Sequence, residues 1–206
     1  MPKLEFWYEF ASTYSYLSVM RIEQLAASRG VEVEWKPFLL GPIFLAQGWR
    51  DTPFRLYPSK GRYMLRDMER LCAARGLPFK FSRGFPQNGL NAARLAYLGA
   101  KEGWAPPFTR EMFLRQFRDE ADISDKGVLA EALQTIGQDP ADLMARIQEP
   151  EVKQALKLQT DTAAGLGIFG APTFLTRDNE LFWGDDRLEQ AMAWAAGTER
   201  PGALSA

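Results

Sequence analysis

The sequence predicts an α/β fold in which both ends of the chain contribute strands to one sheet and a long helical segment lies between them. Three observations predict it. A strand–helix–strand pattern occupies the first 40 residues, helical periodicity runs from Pro58 to about residue 166, and strand character returns only over residues 171–183. Because neither end could bury both faces of its own strands, we expect the two ends to pair in one sheet.

The N-terminal segment has the pattern of a βαβ unit. Residues 3–8 are rich in aromatic side chains, as a buried strand is, and residues 15–29 repeat apolar positions at helical spacing up to a predicted C-cap at Gly30. Residues 31–35 alternate between apolar and polar types, which predicts a second strand. The short connection implies that the two strands pair in parallel through a right-handed crossover.

The middle of the chain changes character twice. Residues 38–57 are apolar and interrupted by Gly and Pro, which predicts an irregular loop, either functional or a simple connector. Periodicity then predicts a series of helices, one of them capped by Ser124. Their predicted spans are 58–76, 88–103, 107–117, 124–136, 139–147 and 150–164.

The C-terminal segment predicts a ββα unit. Strands are expected over residues 171–176 and 180–183, separated by an Asp-Asn turn. A final helix is expected to begin at Asp185 or Asp186 and to continue through Ala196.

Charge and hydropathy exclude several classes of function. The chain has 25 Lys and Arg against 26 Asp and Glu, a balance that argues against nucleic acid as a partner. No run of about 18 apolar residues predicts a membrane span. The sequence enters a strand at Lys3 without a charged and then apolar leader, so we expect a cytoplasmic protein.

Two scarce residue types restrict the chemistry. The sequence contains no histidine, which excludes Ser-His-Asp and Cys-His catalysis and argues against a zinc or other metal site. It contains one cysteine, Cys72, so it cannot form an internal disulfide or a C-x-x-C pair. Cys72 lies on an apolar helical face and is expected in the core. Any reaction must use other side chains or a reactive group brought by a cofactor.

Ser12 and Ser15 lie in the turn between the first strand and the first helix. A hydroxyl there is close to unpaired backbone N–H groups and to the positive end of the helix dipole, so it can bind an anion or stabilise a thiolate. Serine is also a preferred N-cap, so a purely structural role is the alternative.

The order of elements resembles a thioredoxin fold interrupted by helices. Residues 12–15 occupy the turn where thioredoxins carry C-x-x-C, and Pro172 occupies the position of their cis-proline, which would expose the backbone of Ala171 to an extended peptide. The resemblance implies a discontinuous thioredoxin-like domain, 1–40 and 167–200, with an inserted helical domain, 41–166.

Five motifs, in order along the chain, make the resemblance more specific. The motifs are Phe10-x-Ser12-x-x-Ser15-Tyr16-Leu17, Phe38-Leu39-Leu40-Gly41-x-x-Phe44, Pro58-x-Lys60-x-x-Tyr63, Phe169-Gly170-Ala171-Pro172-Thr173-Phe174 and Phe182-Trp183-Gly184-x-Asp186-Arg187-Leu188. Together they resemble the family that contains the 2-hydroxychromene-2-carboxylate isomerases and the kappa-class glutathione transferases, and that is related to DsbA. One residue departs from the family pattern: Thr13 follows Ser12, where the family usually has proline.

The resemblance implies a glutathione site. Ser12 would stabilise the glutathione thiolate, and the backbone at Ala171 and Pro172 would pair with the glutathione cysteine. The γ-glutamyl end would be held by the turn that contains Trp183, Gly184, Asp185 and Asp186. Each has a structural alternative, since Trp183 could be a core residue and Asp186 only a helix cap.

The same resemblance implies a pocket for the second reactant. The residues expected to line it are Phe44, Trp49, Lys60 and Phe85. Lys60 would bind a substrate carboxylate, or it could be an ordinary surface charge.

The implied activity is a glutathione-dependent isomerisation of 2-hydroxychromene-2-carboxylate or a related unsaturated aromatic carboxylate, in a homodimer. The alternatives are a kappa-class-like glutathione transferase and, from another class, a non-catalytic thioredoxin-like module that binds peptides against Pro172. A disulfide oxidoreductase is disfavoured because the turn has no cysteine.

Overall fold

A computed structural model describes residues 1–81 and 84–198. The last two residues of the predicted discontinuous domain, 199 and 200, lie outside the described residues. Four strands form one mixed sheet: β1 (Lys3–Tyr8), β2 (Glu32–Pro37), β3 (Thr173–Thr176) and β4 (Leu181–Trp183). Their order across the sheet is β2-β1-β3-β4. The two ends of the chain therefore do form one sheet, as predicted.

The pairing directions follow from the connections. β1 pairs in parallel with β2, which confirms the predicted βαβ unit, and it pairs antiparallel with β3 on its other side. β3 and β4 form an antiparallel hairpin. Since β1 is central, its C-terminal end delivers the following turn to the middle of the sheet edge, beside the start of β3.

The predicted first helix is two helices, α1 (Thr13–Val19) and α2 (Ile22–Arg29). The break falls at Met20 and Arg21, where no proline or glycine announces it. Gly30 ends α2 in the left-handed conformation, with φ of 62°, as its predicted C-cap role requires.

The prediction of an irregular loop over 38–57 is wrong in part. That segment contains two short helices, α3 (Leu40–Ala46) and α4 (Pro53–Leu56). Gly41 and Pro42 in the first turn of α3 weakened the sequence signal, although proline is well tolerated there because the first-turn N–H groups have no intrahelical acceptor.

The remaining helices follow the predicted order. They are α5 (Pro58–Ala74), α6 (Leu90–Glu102), α7 (Ala105–Phe117), α8 (Lys126–Thr135), α9 (Pro140–Arg146), α10 (Pro150–Gly165) and α11 (Leu188–Ala195). The predicted cap of α8 is wrong by one residue: Asp125, not Ser124, accepts the N–H groups of Gly127 and Val128. A 3₁₀ turn over Asp185–Arg187 precedes α11.

The alternation of side chains along β1 divides the core between the two faces of the sheet. Phe6 is fully buried in the larger cluster, with its ring 5.0 Å from Tyr8, 5.2 Å from Trp35 and 5.5 Å from Phe174. Trp7 points to the opposite face and packs in a smaller cluster with Phe38. Both faces of the sheet are thus covered, which fixes the turn that follows β1. Among residues 1–81 and 84–198, no helix combines the length and the apolar character that a bilayer crossing demands.

Candidate active site

Ser12 lies at the point where β1 gives way to α1. It is the N-cap of α1, and its Oγ accepts a hydrogen bond from the N–H of Ser15 at 3.2 Å. The same hydroxyl donates to the carbonyl oxygen of Ala171 at 2.8 Å, across 159 residues of sequence. Its backbone N–H donates to the carbonyl of Glu9 at 3.0 Å. Three hydrogen bonds therefore fix Ser12 in place, and the residue is half-buried. Its hydroxyl faces Ala171, just before the start of β3.

The other hydroxyls of the turn point into the protein. Ser15 is fully buried and Thr13 is nearly so, and the hydroxyl of each has no hydrogen-bond partner among the described residues. Thr13 is the first residue of α1. Ser12 is the one serine or threonine of residues 12–15 with an accessible side chain.

The segment opposite Ser12 lies directly before β3 and contains a cis peptide bond. The bond between Ala171 and Pro172 is cis. Pro172 accepts at its carbonyl from the N–H of Gly184 at 3.0 Å, which joins this segment to the turn after β4. Gly184 has φ of 108°, a backbone conformation that side-chain-bearing residues rarely adopt, so the turn favours glycine at this position.

Trp183 is an exposed aromatic side chain at the end of β4. Its side chain lies against the backbone of Gly170, where an added Cβ would be 2.3 Å from the indole Nε1. The ring of Phe169 packs edge-on against it with centroids 4.9 Å apart. Trp183 is 52% exposed and Phe169 44% exposed, so this pair is a surface feature beside Ala171 and not part of the core.

We expect Gly170→Ala to displace Trp183. The new methyl group cannot coexist with the indole, and because the ring is half exposed it can swing towards solvent at little cost in stability, about 1 kcal/mol or less. Near-UV circular dichroism should therefore change while the urea midpoint shifts little. Gly165→Ala, where nothing lies within 4 Å of the added Cβ, is the matched control and should leave the spectrum unchanged. An unchanged spectrum for Gly170→Ala would contradict this packing.

The two acidic residues of the following turn have different surroundings. Asp185 is 4% exposed and its oxygens are occupied: Oδ1 accepts from Ser18 at 2.9 Å and Oδ2 from Arg75 at 2.7 Å. Asp186 projects into solvent, with its side chain 73% exposed and its carboxylate 3.5 Å from Arg187. Only Asp186 presents an accessible carboxylate to a ligand at this turn.

Lys60 borders a cavity beside the Ser12 turn. The cavity, of about 340 Å³, is lined by Tyr14, Phe54, Ser59, Lys60, Tyr63 and Met64. Tyr14, two residues after Ser12 in the first turn of α1, forms one wall of the cavity. The Lys60 ammonium lies 4.8 Å above the ring of Tyr57. Three of the six lining residues are aromatic, and Lys60 is the one cation among them.

Phe44, Trp49 and Phe85, which were also expected to line the substrate pocket, contact other parts of the protein. Phe44 and Trp49 pack against one another with centroids 5.4 Å apart, and Phe44 also packs against the smaller core cluster. Phe85 packs against Phe81, 4.9 Å away, and its carbonyl accepts from Arg55 at 3.3 Å. Lys60 is thus the predicted pocket residue that borders the cavity, while Phe44, Trp49 and Phe85 do not line it.

Glu9 is a buried carboxyl directly before the turn. Its Oε2 accepts from the N–H of Leu40, the first residue of α3, at 3.0 Å. Burial raises the pKa of Glu9 to about 7, against the opposing effect of this hydrogen bond. Since its carbonyl also holds the N–H of Ser12, Glu9 connects the turn to α3.

Two further features do not belong to the site. Cys72 is 1% exposed, as predicted for a core residue, and burial raises the pKa of its thiol to about 11. A larger cavity, of about 650 Å³, runs along the outer edge of β2 and contains none of the predicted site residues. Within the described part of the chain, no three histidine, cysteine or acidic side chains are grouped to hold a metal ion.

Sequence reasoning missed three residues around the site. Tyr14 lines the cavity and donates to Asp67 at 3.0 Å, and its place within the Ser12 turn was the available signal. Glu9 could have been noticed as an acidic residue in an otherwise apolar stretch. No local signal marks Arg75, because its partner Asp185 lies 110 residues away.

The chain resembles several characterised proteins over nearly its whole length. A family model described as DSBA-like thioredoxin domain matches residues 3–193. The chain is 27% identical to 2-hydroxychromene-2-carboxylate isomerase of Sphingobium xenophagum, over 90% of this chain and 94% of the relative. It is 26% identical to glutathione S-transferase kappa 1 of Homo sapiens, over 90% of this chain and 87% of the relative.

A solved structure of 2-hydroxychromene-2-carboxylate isomerase, in selenomethionine form, superposes with a TM-score of 0.83 at 24% identity, covering 93% of this chain and 95% of the other. The likeness confirms the predicted thioredoxin-like α/β fold with its large helical content.

Proposed function

Because the chain belongs to the DSBA-like thioredoxin domain family, we propose that it is a glutathione-dependent isomerase of 2-hydroxychromene-2-carboxylate or a related unsaturated aromatic carboxylate. One observation carries the proposal. The hydroxyl of Ser12 faces the backbone of Ala171, next to a cis-proline, in a turn that contains no cysteine. A site of this kind can hold a thiol but cannot exchange a disulfide through its own side chains.

The Ser12 hydroxyl can donate to a sulfur anion. Its oxygen already accepts from the N–H of Ser15 at 3.2 Å, and this bond at the helix N-terminus favours negative charge nearby. Its proton now goes to the carbonyl of Ala171. A thiolate is a stronger acceptor than a neutral carbonyl, so the hydroxyl would turn to it and leave that carbonyl for a ligand N–H. A hydrogen bond donated to the thiolate favours the charged form and so lowers the pKa of the thiol.

The remaining residues fit the ends of glutathione. Ala171 is half-buried and directly precedes the cis bond to Pro172, so its backbone is available to pair with the cysteine residue of the peptide. The exposed carboxylate of Asp186 suits the α-amine of the γ-glutamyl end. We assign this contact to Asp186 and not to Asp185, whose oxygens are already occupied by Ser18 and Arg75.

When bound, glutathione supplies the thiolate whose reversible addition to the conjugated double bond allows rotation and then elimination, with no net redox change. The protein's task is to keep the thiol deprotonated at Ser12 and to hold the second reactant nearby. The aromatic cavity beside Tyr14 suits a flat substrate, and Lys60 at its margin suits a carboxylate. An external nucleophile of this kind is compatible with a chain that contains no histidine.

The direct test is an assay of purified protein with 2-hydroxychromene-2-carboxylate. We expect the absorbance change of isomerisation to occur only when glutathione is added, and glutathione to be recovered unchanged. Isomerisation at the same rate without glutathione, or none with it, would contradict the proposal.

A kappa-class-like glutathione transferase is the second candidate, favoured by the similarity to the human protein of that name. It would conjugate 1-chloro-2,4-dinitrobenzene and consume glutathione, which distinguishes it from the isomerase. A non-catalytic peptide-binding module would show neither activity, and calorimetry would detect no glutathione binding at millimolar concentration. The homodimer and the cytoplasmic location stay predictions.

We expect Lys60→Met to raise the KM for the carboxylate substrate about tenfold, because the variant loses the cation at the cavity margin but keeps its apolar stem. The KM for glutathione should change little, and Lys60→Arg should restore much of the loss. Lys157→Met, an exposed lysine on α10 paired with Asp161, is the control. Equal KM values for Lys60→Met and the wild type would remove Lys60 from the site.

A further inference from the structure

The carboxylate of Asp185 is buried between two arginines. Arg75 Nη2 lies 2.7 Å from Oδ2, and Arg21 Nη2 lies 3.2 Å from Oδ1, which also accepts from Ser18 at 2.9 Å. Arg21 makes further contact through Nε at 3.3 Å and pairs with Glu189 on its outer side. A carboxylate that is 4% exposed needs such partners, because an uncompensated buried charge is costly.

The partners of Asp185 come from distant parts of the fold. Ser18 lies in α1, and Arg21 lies at the break between α1 and α2. Arg75 is the C-cap residue of α5, on the far side of the long helical segment in the sequence. No glycine or proline marks the break between α1 and α2 in the sequence. This break places Arg21 against Asp185.

These contacts fix the backbone of the turn as well as the side chain. Arg21 Nη2 donates to the carbonyl of Asp185 at 2.7 Å, and the N–H of Gly184 donates to the carbonyl of Pro172 at 3.0 Å. The next residue, Asp186, has no such burial and projects into solvent. The buried contacts of Asp185 therefore fix the turn, and the side chain of Asp186 projects from the same turn into solvent.

We propose that Asp185, clamped by Arg21 and Arg75, is a positioning residue that fixes the turn which takes the γ-glutamyl end of glutathione. The inference rests on the proposed function. It adds that a residue of α5 controls the affinity for glutathione, although Arg75 itself is not a ligand. The same helix carries Lys60 in its first turn, 15 residues or about 22 Å before Arg75. α5 therefore connects the cavity for the second reactant to the glutathione-binding turn.

The test compares glutathione binding by calorimetry in the full-length protein and its variants. We expect Arg75→Met to weaken the Kd for glutathione about tenfold, while kcat at saturating glutathione stays within about twofold of the wild type. Arg75→Lys, which keeps a cation, should retain most of the affinity. Asp185→Asn should weaken binding at least as much, because it also removes the charge that pairs with Arg21. Adding Arg75→Met to Asp185→Asn should weaken binding little further, since the ion pair with Arg75 is already lost.

The matched control is Arg146→Met. Arg146 is 33% exposed against 28% for Arg75, and it too joins two helices, through Glu102 and Asp142, but it touches no residue of the proposed site. Its Kd should equal that of the wild type. Melting temperatures identify any variant that has lost its fold. Arg75→Met keeps the ion pair between Arg21 and Asp185. The Arg75 variants therefore still test the proposal if Asp185→Asn does not fold.

Two outcomes overturn the inference and are distinguishable. If the wild type binds glutathione and Arg75→Met and Asp185→Asn bind it equally well, the clamp has no positioning role and the proposed function stands. If the wild type binds no glutathione, the proposed function fails and the inference fails with it. A fall in kcat at saturating glutathione with an unchanged Kd also overturns it, because that pattern places the effect in the chemical step.

Discussion

Ser12→Ala is expected to lower kcat/KM for isomerisation about a hundredfold, because removing one hydrogen-bond donor from a site of developing or resident negative charge typically costs that much. The hydroxyl has the position for this role, 2.8 Å from the carbonyl of Ala171 and fixed by the N–H of Ser15. The thiol pKa of bound glutathione, followed by thiolate absorbance, should rise towards the value of a free cysteine thiol, about 8.5.

The difficulty is that Ser12 is also a helix cap, whose loss costs about 1 kcal/mol of stability. Asp125→Ala removes a comparable cap, at α8, and should lower stability by a similar amount without lowering activity. Ser15→Ala removes a buried hydroxyl of the same turn and should leave the thiol pKa unchanged. If Ser12→Ala and Asp125→Ala behave alike in the assay, Ser12 is a cap and nothing more.

The second large effect concerns Glu9 and the pH dependence of stability. Its pKa is about 7 in the folded protein, against an ordinary value of 4.5, because burial disfavours the charged form. As pH rises from 4.5 to 7, the unfolded chain loses this proton first, so the free energy of unfolding should fall. The shift corresponds to roughly 3 kcal/mol, present below pH 4.5 and lost once the pH exceeds 7.

Urea unfolding at a series of pH values between 5 and 8 measures this change in the free energy of unfolding, and the chain has no histidine to titrate in the window. Glu9→Gln keeps an acceptor for the N–H of Leu40 but cannot ionise, so its stability should be nearly independent of pH there. Glu69→Gln, an exposed carboxylate on α5, should behave as the wild type does. The same pH slope in Glu9→Gln and the wild type would show that Glu9 is not the group responsible.

Most of the fold could be predicted from patterns among residues that are close together in the sequence. The strand at residues 3–8, the left-handed cap at Gly30 and the long helix from Pro58 could be predicted because each depends on residues within a few positions. The cis bond at Pro172 and its place opposite Ser12 came from the resemblance to a known fold, which the match over residues 3–193 confirms. The division into a discontinuous domain and an insertion at 41–166 stays a prediction.

The rest depended on long-range contacts that no local pattern encodes. The break between α1 and α2 places Arg21 against Asp185, 164 residues away, and the sequence of the helix shows neither Gly nor Pro at that point. The resemblance placed Asp185 at the γ-glutamyl end of glutathione, and its burial against Arg21 and Arg75 depends on residues 164 and 110 positions away in the sequence. Similarly, Phe85 has the residue type of a pocket wall but packs into an aromatic cluster with Phe81 and Phe117.

The most direct test of the thiolate site is a crystal structure of the protein with glutathione bound. The account predicts that the sulfur lies within hydrogen-bonding distance of Ser12 Oγ, that the cysteine backbone pairs with Ala171, and that the γ-glutamyl amine contacts Asp186. Glutathione bound with its sulfur turned away from Ser12, or seated in the larger cavity along β2, would contradict it.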